Sequence, residues 1–107
     1  MAIVAVSVAP VGEGASVSRH VAAALRVLET QEHVRFEVGP MFTTLEGDLR
    51  EILDLVVRMQ EAVFAEGAQR VSTVLKIDER RDRVSSMEEK VTTLRERLRG
   101  GGTSGGI

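Results

Sequence analysis

Apolar and polar positions alternate along this chain with two periods, and the switches between them mark out its elements. Residues 2–9 (AIVAVSVA) are short, β-branched and apolar at almost every position. That is the signature of a strand lying centrally in a sheet, with Pro10 and Gly12 ending it. Residues 16–31 carry Val17, Val21, Ala24, Leu25 and Leu28 at helical spacing, with Ser16 or Ser18 available as a cap. Residues 34–38 alternate, with Val34, Phe36 and Val38 on one face and Arg35 and Glu37 on the other. Gly39-Pro40 reverses the chain, and residues 41–46 return as the second strand of a hairpin.

A long helix follows over 48–66, with a capping-box pattern at Asp48 and Glu51. Its stripe is Leu49, Ile52, Leu53, Val56, Met59 and Val63, and Gly67 stops it. Residues 70–78 (RVSTVLKID) form a fourth strand. After the charged loop 79–83, residues 85–98 form a last helix, capped at Ser85 or Ser86. Its stripe of Met87, Val91, Leu94 and Leu98 is narrow, so it lies on the outside of the fold or in a seam with another subunit.

The order is strand, helix, strand, strand, helix, strand, helix. Its first six elements follow the βαββαβ plan of a ferredoxin-like α+β sandwich, a four-stranded antiparallel sheet with both helices on one face. The last helix is an addition to that plan. Residues 1–99 make a single domain, and the glycine-rich residues 100–107 are expected to form a disordered tail. Val4, Val6, Val8, Phe36, Leu45, Val71, Leu75 and Ile77 should face the helices. Ile3, Ala5, Ser7, Phe42, Thr44, Glu46, Val74, Lys76 and Asp78 should lie on the opposite face. That second set is too apolar for a face left in water. A partner subunit, the last helix or both should cover it, and its polar minority offers a place for a small ligand.

Composition narrows the function. The chain has 107 residues, a net charge of −2, and no cysteine, tryptophan or tyrosine. Thiol chemistry is excluded. The charge and the three phenylalanines argue against nucleic-acid or anionic-membrane partners. With no signal peptide or long apolar run, a cytoplasmic location is the default. The loop Val11–Ala15 holds two glycines near a helix start but matches no phosphate-binding fingerprint, and it reads as a connector. His20 sits just off the apolar stripe of its helix and reads as a surface or boundary residue. No metal-ligand spacing is present.

Four stretches together resemble the small one-domain thiamine-binding proteins, relatives of a tandem-repeat protein that binds thiamine and its hydroxymethylpyrimidine moiety. They are Val6-Ser7-Val8-Ala9-Pro10 with Ser16-Val17-Ser18, Phe36-Glu37-Val38-Gly39-Pro40-Met41 with Thr43-Thr44-Leu45-Glu46-Gly47, Val74-Leu75-Lys76-Ile77-Asp78 followed by Arg80 and Arg81, and Lys90-Val91. The resemblance covers residues 2–98, and the Gly-Pro-Met…Thr-Thr-x-Glu-Gly hairpin is its most specific part. It implies a ferredoxin-like fold with an added helix, a dimer or tetramer, and a family without an established catalytic activity; no cofactor is expected. It also implies a ligand that is thiamine or its pyrimidine moiety. Aminopyrimidine edges suit a carboxylate and a hydroxyl, and a thiazolium suits a carboxylate or an aromatic face. Glu46 is the first choice for the pyrimidine, with Thr43 or Thr44 beside it. Asp78 is the choice for the cation or a second polar contact, and Ser7 and Phe42 could line the site. By the pleat, Thr43 opposes Thr44, Glu46 and Asp78, so one sheet-face pocket cannot hold them all without a bulge.

The alternative reading is a structural or regulatory module whose sheet face serves assembly alone. An enzyme is disfavoured, because its two histidines, His20 and His33, stand on separate segments and a Glu46/Asp78 pair is thin support for acid–base work.

Overall fold

A computed structural model describes residues 1–12, 14, 17–82 and 86–100. Three of the sequence expectations fall on other residues: Ser16 and Ser85 as caps, and disorder over 101–107. The described elements are β1 (Ala2–Pro10), α1 (Ser18–Leu28), β2 (Arg35–Val38), β3 (Thr43–Gly47), α2 (Leu49–Ala65), β4 (Val71–Glu79) and α3 (Met87–Arg99). The strands form one antiparallel sheet in the order β2-β3-β1-β4, with β1 central as its two-sided hydrophobicity predicts. This is the expected α+β architecture, a four-stranded antiparallel sheet with three helices.

Alternation along β1 divides the molecule. Ala2, Val4, Val6 and Val8 are buried beneath α1 and α2, together with Leu28, Leu45, Ile52, Val56, Met59 and Val63. Burying each such aliphatic side chain is worth about 1.5–3 kcal/mol. Ile3, Ala5, Ser7 and Ala9 point the other way and are half-buried. Asp48 caps α2 by accepting from the Glu51 N–H at 3.2 Å, and Ser86 caps α3 by accepting from the Glu89 N–H at 3.1 Å. Gly67, just past the α2 C-cap, adopts φ +104°, a conformation that favours glycine.

Local expectations are corrected at four places. The hairpin turn is longer than two residues: β3 starts at Thr43, and residues 39–42 form the loop. The Gly39 N–H donates to the Phe42 carbonyl at 3.0 Å, so close that a Cβ on residue 39 would lie 2.6 Å from that oxygen. Phe42 therefore precedes the sheet and is not on its open face. The buried side of α1 is turned from the expected stripe towards α2, and it carries His20, Ala23, Ala24 and Leu28. Ser18 does not cap α1 but begins it; the N-cap is Val17, which makes no side-chain cap bond.

The fourth correction concerns β4. Val4 pairs with Ile77 and Val6 with Leu75, so both β4 residues do lie on the helix side. Yet α2 covers only the start of the strand, where the Thr73 hydroxyl donates to Gln60. Leu75 stays 36% and Ile77 45% exposed, and Val74 on the other face is 52% exposed.

Helix α3 lies over the face opposite α1 and α2, where it shares a cleft with Ile3, Ala5, Thr44, Lys76 and Asp78. Only Met87 of its stripe is buried, and Val91 and Leu98 are exposed. Two ion pairs hold its first turn: Arg35 of β2 with Glu88, and Lys90 with Asp78 of β4. The hydrogen bond from Arg35 holds the Glu88 carboxyl below its usual value, and that from Lys90 does the same for Asp78. Carboxyls with depressed folded values contribute above their ordinary titration range and lose that contribution as pH falls through the folded value. Exposed pairs are weak and screened by salt. The amide protection of α3, corrected for intrinsic exchange and measured by NMR relative to α2, is therefore expected to fall as pH drops from neutral through and below the ordinary carboxylate range. Adding salt at neutral pH should lower it too. The Asp78→Asn/Glu88→Gln double variant should begin low and lose most of the pH dependence; a parallel profile in the two proteins would show that these pairs do not hold the helix.

Candidate functional site

Two rows of side chains cross the face beneath α3. The register aligns Arg35, Glu46, Ile3 and Asp78 in the first, and Glu37, Thr44, Ala5 and Lys76 in the second. Each row spans four strands, roughly 14 Å at the usual inter-strand spacing. Met87, Val91 and Leu94 of α3 form the opposite wall, and the space between is a cleft of about 680 Å³. That is within the range of small-molecule sites, about 300–1,000 Å³. Its floor is apolar at Ile3 and Ala5, with Thr44 between Ala5 and Glu37. Among the described residues the Thr44 hydroxyl has no hydrogen-bond partner within the protein. It is free to accept or donate towards a guest.

Glu46 is buried, with only 6% of its side chain exposed, and its Oε2 accepts from Arg35 Nη1 at 3.0 Å. A carboxylate so far from water needs such a partner. Arg35 goes on to Glu88 of α3, and these two carboxylates, with Glu37, raise the guanidinium above its ordinary value, Glu88 most strongly. Glu46 thus anchors the cation that ties α3 to β2, and it does not itself line the cleft. Asp78 does line it, engaged by Lys90 and flanked by Lys76 and Arg80. Arg80 in turn forks onto Asp82 at 2.6 and 2.9 Å.

The other expected residues lie elsewhere. Thr43 is buried on the helix side, opposite Val6. It lines a second crevice of about 160 Å³ with Ser7, Val21, Leu25 and residues 39–41. This crevice opens at the start of β3, beyond which β1 continues paired with β4 alone. The sequence argument that Thr43 and Thr44 serve opposite faces holds; Ser7, though on the open face by the pleat, lines the smaller crevice at its rim together with Thr43. Phe42 lines neither space. Only Thr44 and Asp78 of the six meet in the larger cleft, with Glu46 one step behind through Arg35. The residues that sequence reasoning passed over are Glu37, Lys76 and Arg95. Glu37 and Lys76 had a visible signal, since both alternate onto the open face; Arg95 lies eight residues after Met87, on the same side of α3.

His20 is buried, and neither ring nitrogen has a partner among the described residues. It sits in the helix layer and lines neither space. Among the described residues no three His, Asp or Glu side chains gather as a metal set, and no helix is long and apolar enough to cross a membrane.

Comparison with known proteins places the chain in context. It is 40% identical over 106 residues to a UPF0045 protein of Staphylococcus xylosus, covering 95% of this chain and 99% of that one. It is 34% identical over 102 residues to a UPF0045 protein of Bacillus subtilis, covering 92% and 98%. Among solved structures it superposes on a hypothetical protein of Methanocaldococcus jannaschii with a TM-score of 0.81 and 38% identity, covering 89% of this chain and 96% of that one. A putative thiamine biosynthesis/salvage protein of Thermotoga maritima matches with a TM-score of 0.73 and 29% identity, covering 88% and 98%. The family model described as thiamine-binding protein matches residues 4–95, nearly the whole chain, and this chain belongs to that family.

Proposed function

We propose that this protein binds thiamine or its hydroxymethylpyrimidine moiety without catalysing a reaction, and that the ligand enters the cleft between α3 and the sheet. The observation that carries this reading is the unpartnered Thr44 hydroxyl on an apolar floor of suitable size, in a chain of the thiamine-binding family. The aminopyrimidine ring lies flat over Ile3 and Ala5, and its polar edge meets Thr44 and the Glu37 carboxylate. A hydroxyl and a carboxylate side by side match the donor and acceptor pattern of that edge. The second crevice is too small to enclose the whole of thiamine. A binding role rather than catalysis is supported by the state of the two carboxylates the sequence offers as an acid–base pair. Glu46 and Asp78 are both committed to ion pairs, which leaves neither poised to move a proton.

Thermal unfolding with and without thiamine tests this. A ligand that binds only the folded state stabilises it by about 2.7 kcal/mol at a hundredfold excess over Kd. The wild-type midpoint should rise with thiamine, and Thr44→Val, which keeps the shape but removes the hydroxyl, should abolish most of the rise. An equal rise in the variant would move the ligand away from Thr44.

We further propose that the protein works as a homo-oligomer, with a second copy covering the outer half of β4. Its support is the exposed apolar set Val74, Leu75 and Ile77 on an edge strand, which an isolated subunit would leave open to water and to strand pairing. If assembly were the whole function, the cleft too would be filled by the partner, and thiamine would give no thermal shift. Light scattering after gel filtration should give a mass of two or more chains for the wild type. Leu75→Glu/Ile77→Glu should lower it to one chain; an unchanged mass would place the interface elsewhere.

A further inference from the structure

The walls of the cleft carry opposite charge at its two ends. At the β2 end Glu37 and Glu88 line it and the buried Glu46 lies behind, with Arg35 shared between Glu46 and Glu88. At the β4 end Asp78 is paired with Lys90, and Lys76 stands two residues before it on the same face. Lys76 makes no ion pair within 4 Å among the described residues, and neither do Arg95 or Glu37. The surplus is therefore negative by β2 and positive by β4. Glu37 and Lys76 occupy the two ends of one row, with Thr44 and Ala5 between them.

Free thiamine carries one positive charge and nothing to meet Lys76. Its phosphate ester carries the same cation and a doubly charged anion at the far end of the molecule. The cleft's length across four strands is comparable with such an extended molecule. Resting on the reading above, we propose that the cleft selects a phosphate ester of thiamine over thiamine itself. The cationic and pyrimidine portions lie towards Glu37 and Thr44, and the phosphate lies at Lys76. Lys90 stands by with ammonium hydrogens beyond the one given to Asp78, and Arg95 reaches the cleft from α3. Charged hydrogen bonds of this kind are the strong ones, and they act where the apolar floor thins the water.

Calorimetric titration of the full chain with thiamine, thiamine monophosphate and inorganic phosphate tests this. The monophosphate is expected to bind about tenfold more tightly than thiamine, the yield of one charge-assisted hydrogen bond. That advantage should shrink as salt is raised. In Lys76→Gln the ratio of the two affinities should fall towards one. Thiamine binding as tightly as the monophosphate would overturn the inference and leave the thiamine-binding reading standing. Inorganic phosphate matching the ester would overturn it in favour of a bare anion site. If neither thiamine nor its ester binds, the inference and the reading beneath it fall together.

Discussion

Everything in this fold depends on β1 being paired on both sides while covered on both faces. Its partners are β3 and β4, and their registers fix which side chains share each row. The even positions go into the core with Leu45, Ile52 and Val63, and the odd positions Ile3 and Ala5 become the floor of a cleft. A slip of β1 by one residue would exchange its two sets, burying Ile3 and Ala5 and exposing Val4 and Val6. The core therefore specifies the cleft: the hydrophobic term that holds the sheet to α1 and α2 also sets Ile3, Ala5, Thr44 and Lys76 side by side.

The cleft itself is held by electrostatics more than by packing. Helix α3 offers the sheet a narrow apolar stripe and buries only Met87. Its attachment rests on Arg35 and Lys90, at opposite edges of the sheet. Arg35 is the firmer of the two, since its other partner, Glu46, is buried and fixed by the β2–β3 register. This arrangement keeps a roof over the site without closing it. It also polarises the site, because the carboxylates gather around Arg35 and the cations around Asp78. A family defined by a cationic vitamin thus presents here a cleft with a positive end as well as a negative one.

Much of this was legible in the chain. The period-two pattern of β1 and β4 and the period-3.6 pattern of α2 gave the layers, and the Asp48 and Ser86 caps marked helix starts. The hairpin loop is longer than its Gly-Pro dipeptide suggests. A two-residue reversal at Gly39-Pro40 would pair Arg35 with Thr44, whereas the observed four-residue loop pairs it with Glu46. The two registers differ by an even number of residues, so the faces are the same in both, but only the observed one sets Arg35 beside Glu46. The rotation of α1 that buries His20 was also out of reach, since it depends on how closely α1 packs against α2. The exposure of Leu75 and Ile77 depends on how far α2 extends over β4. Alternation reports which way a side chain points, not whether anything lies above it.

The most direct test is an NMR titration of the isotope-labelled protein with thiamine, read residue by residue. Binding in the cleft predicts the largest shifts at Ala5, Thr44, Lys76, Val91 and Leu94. Shifts concentrated instead at Ser7, Val21, Met41 and Thr43, around the smaller crevice, would contradict the account. So would a spectrum that saturating ligand leaves unchanged.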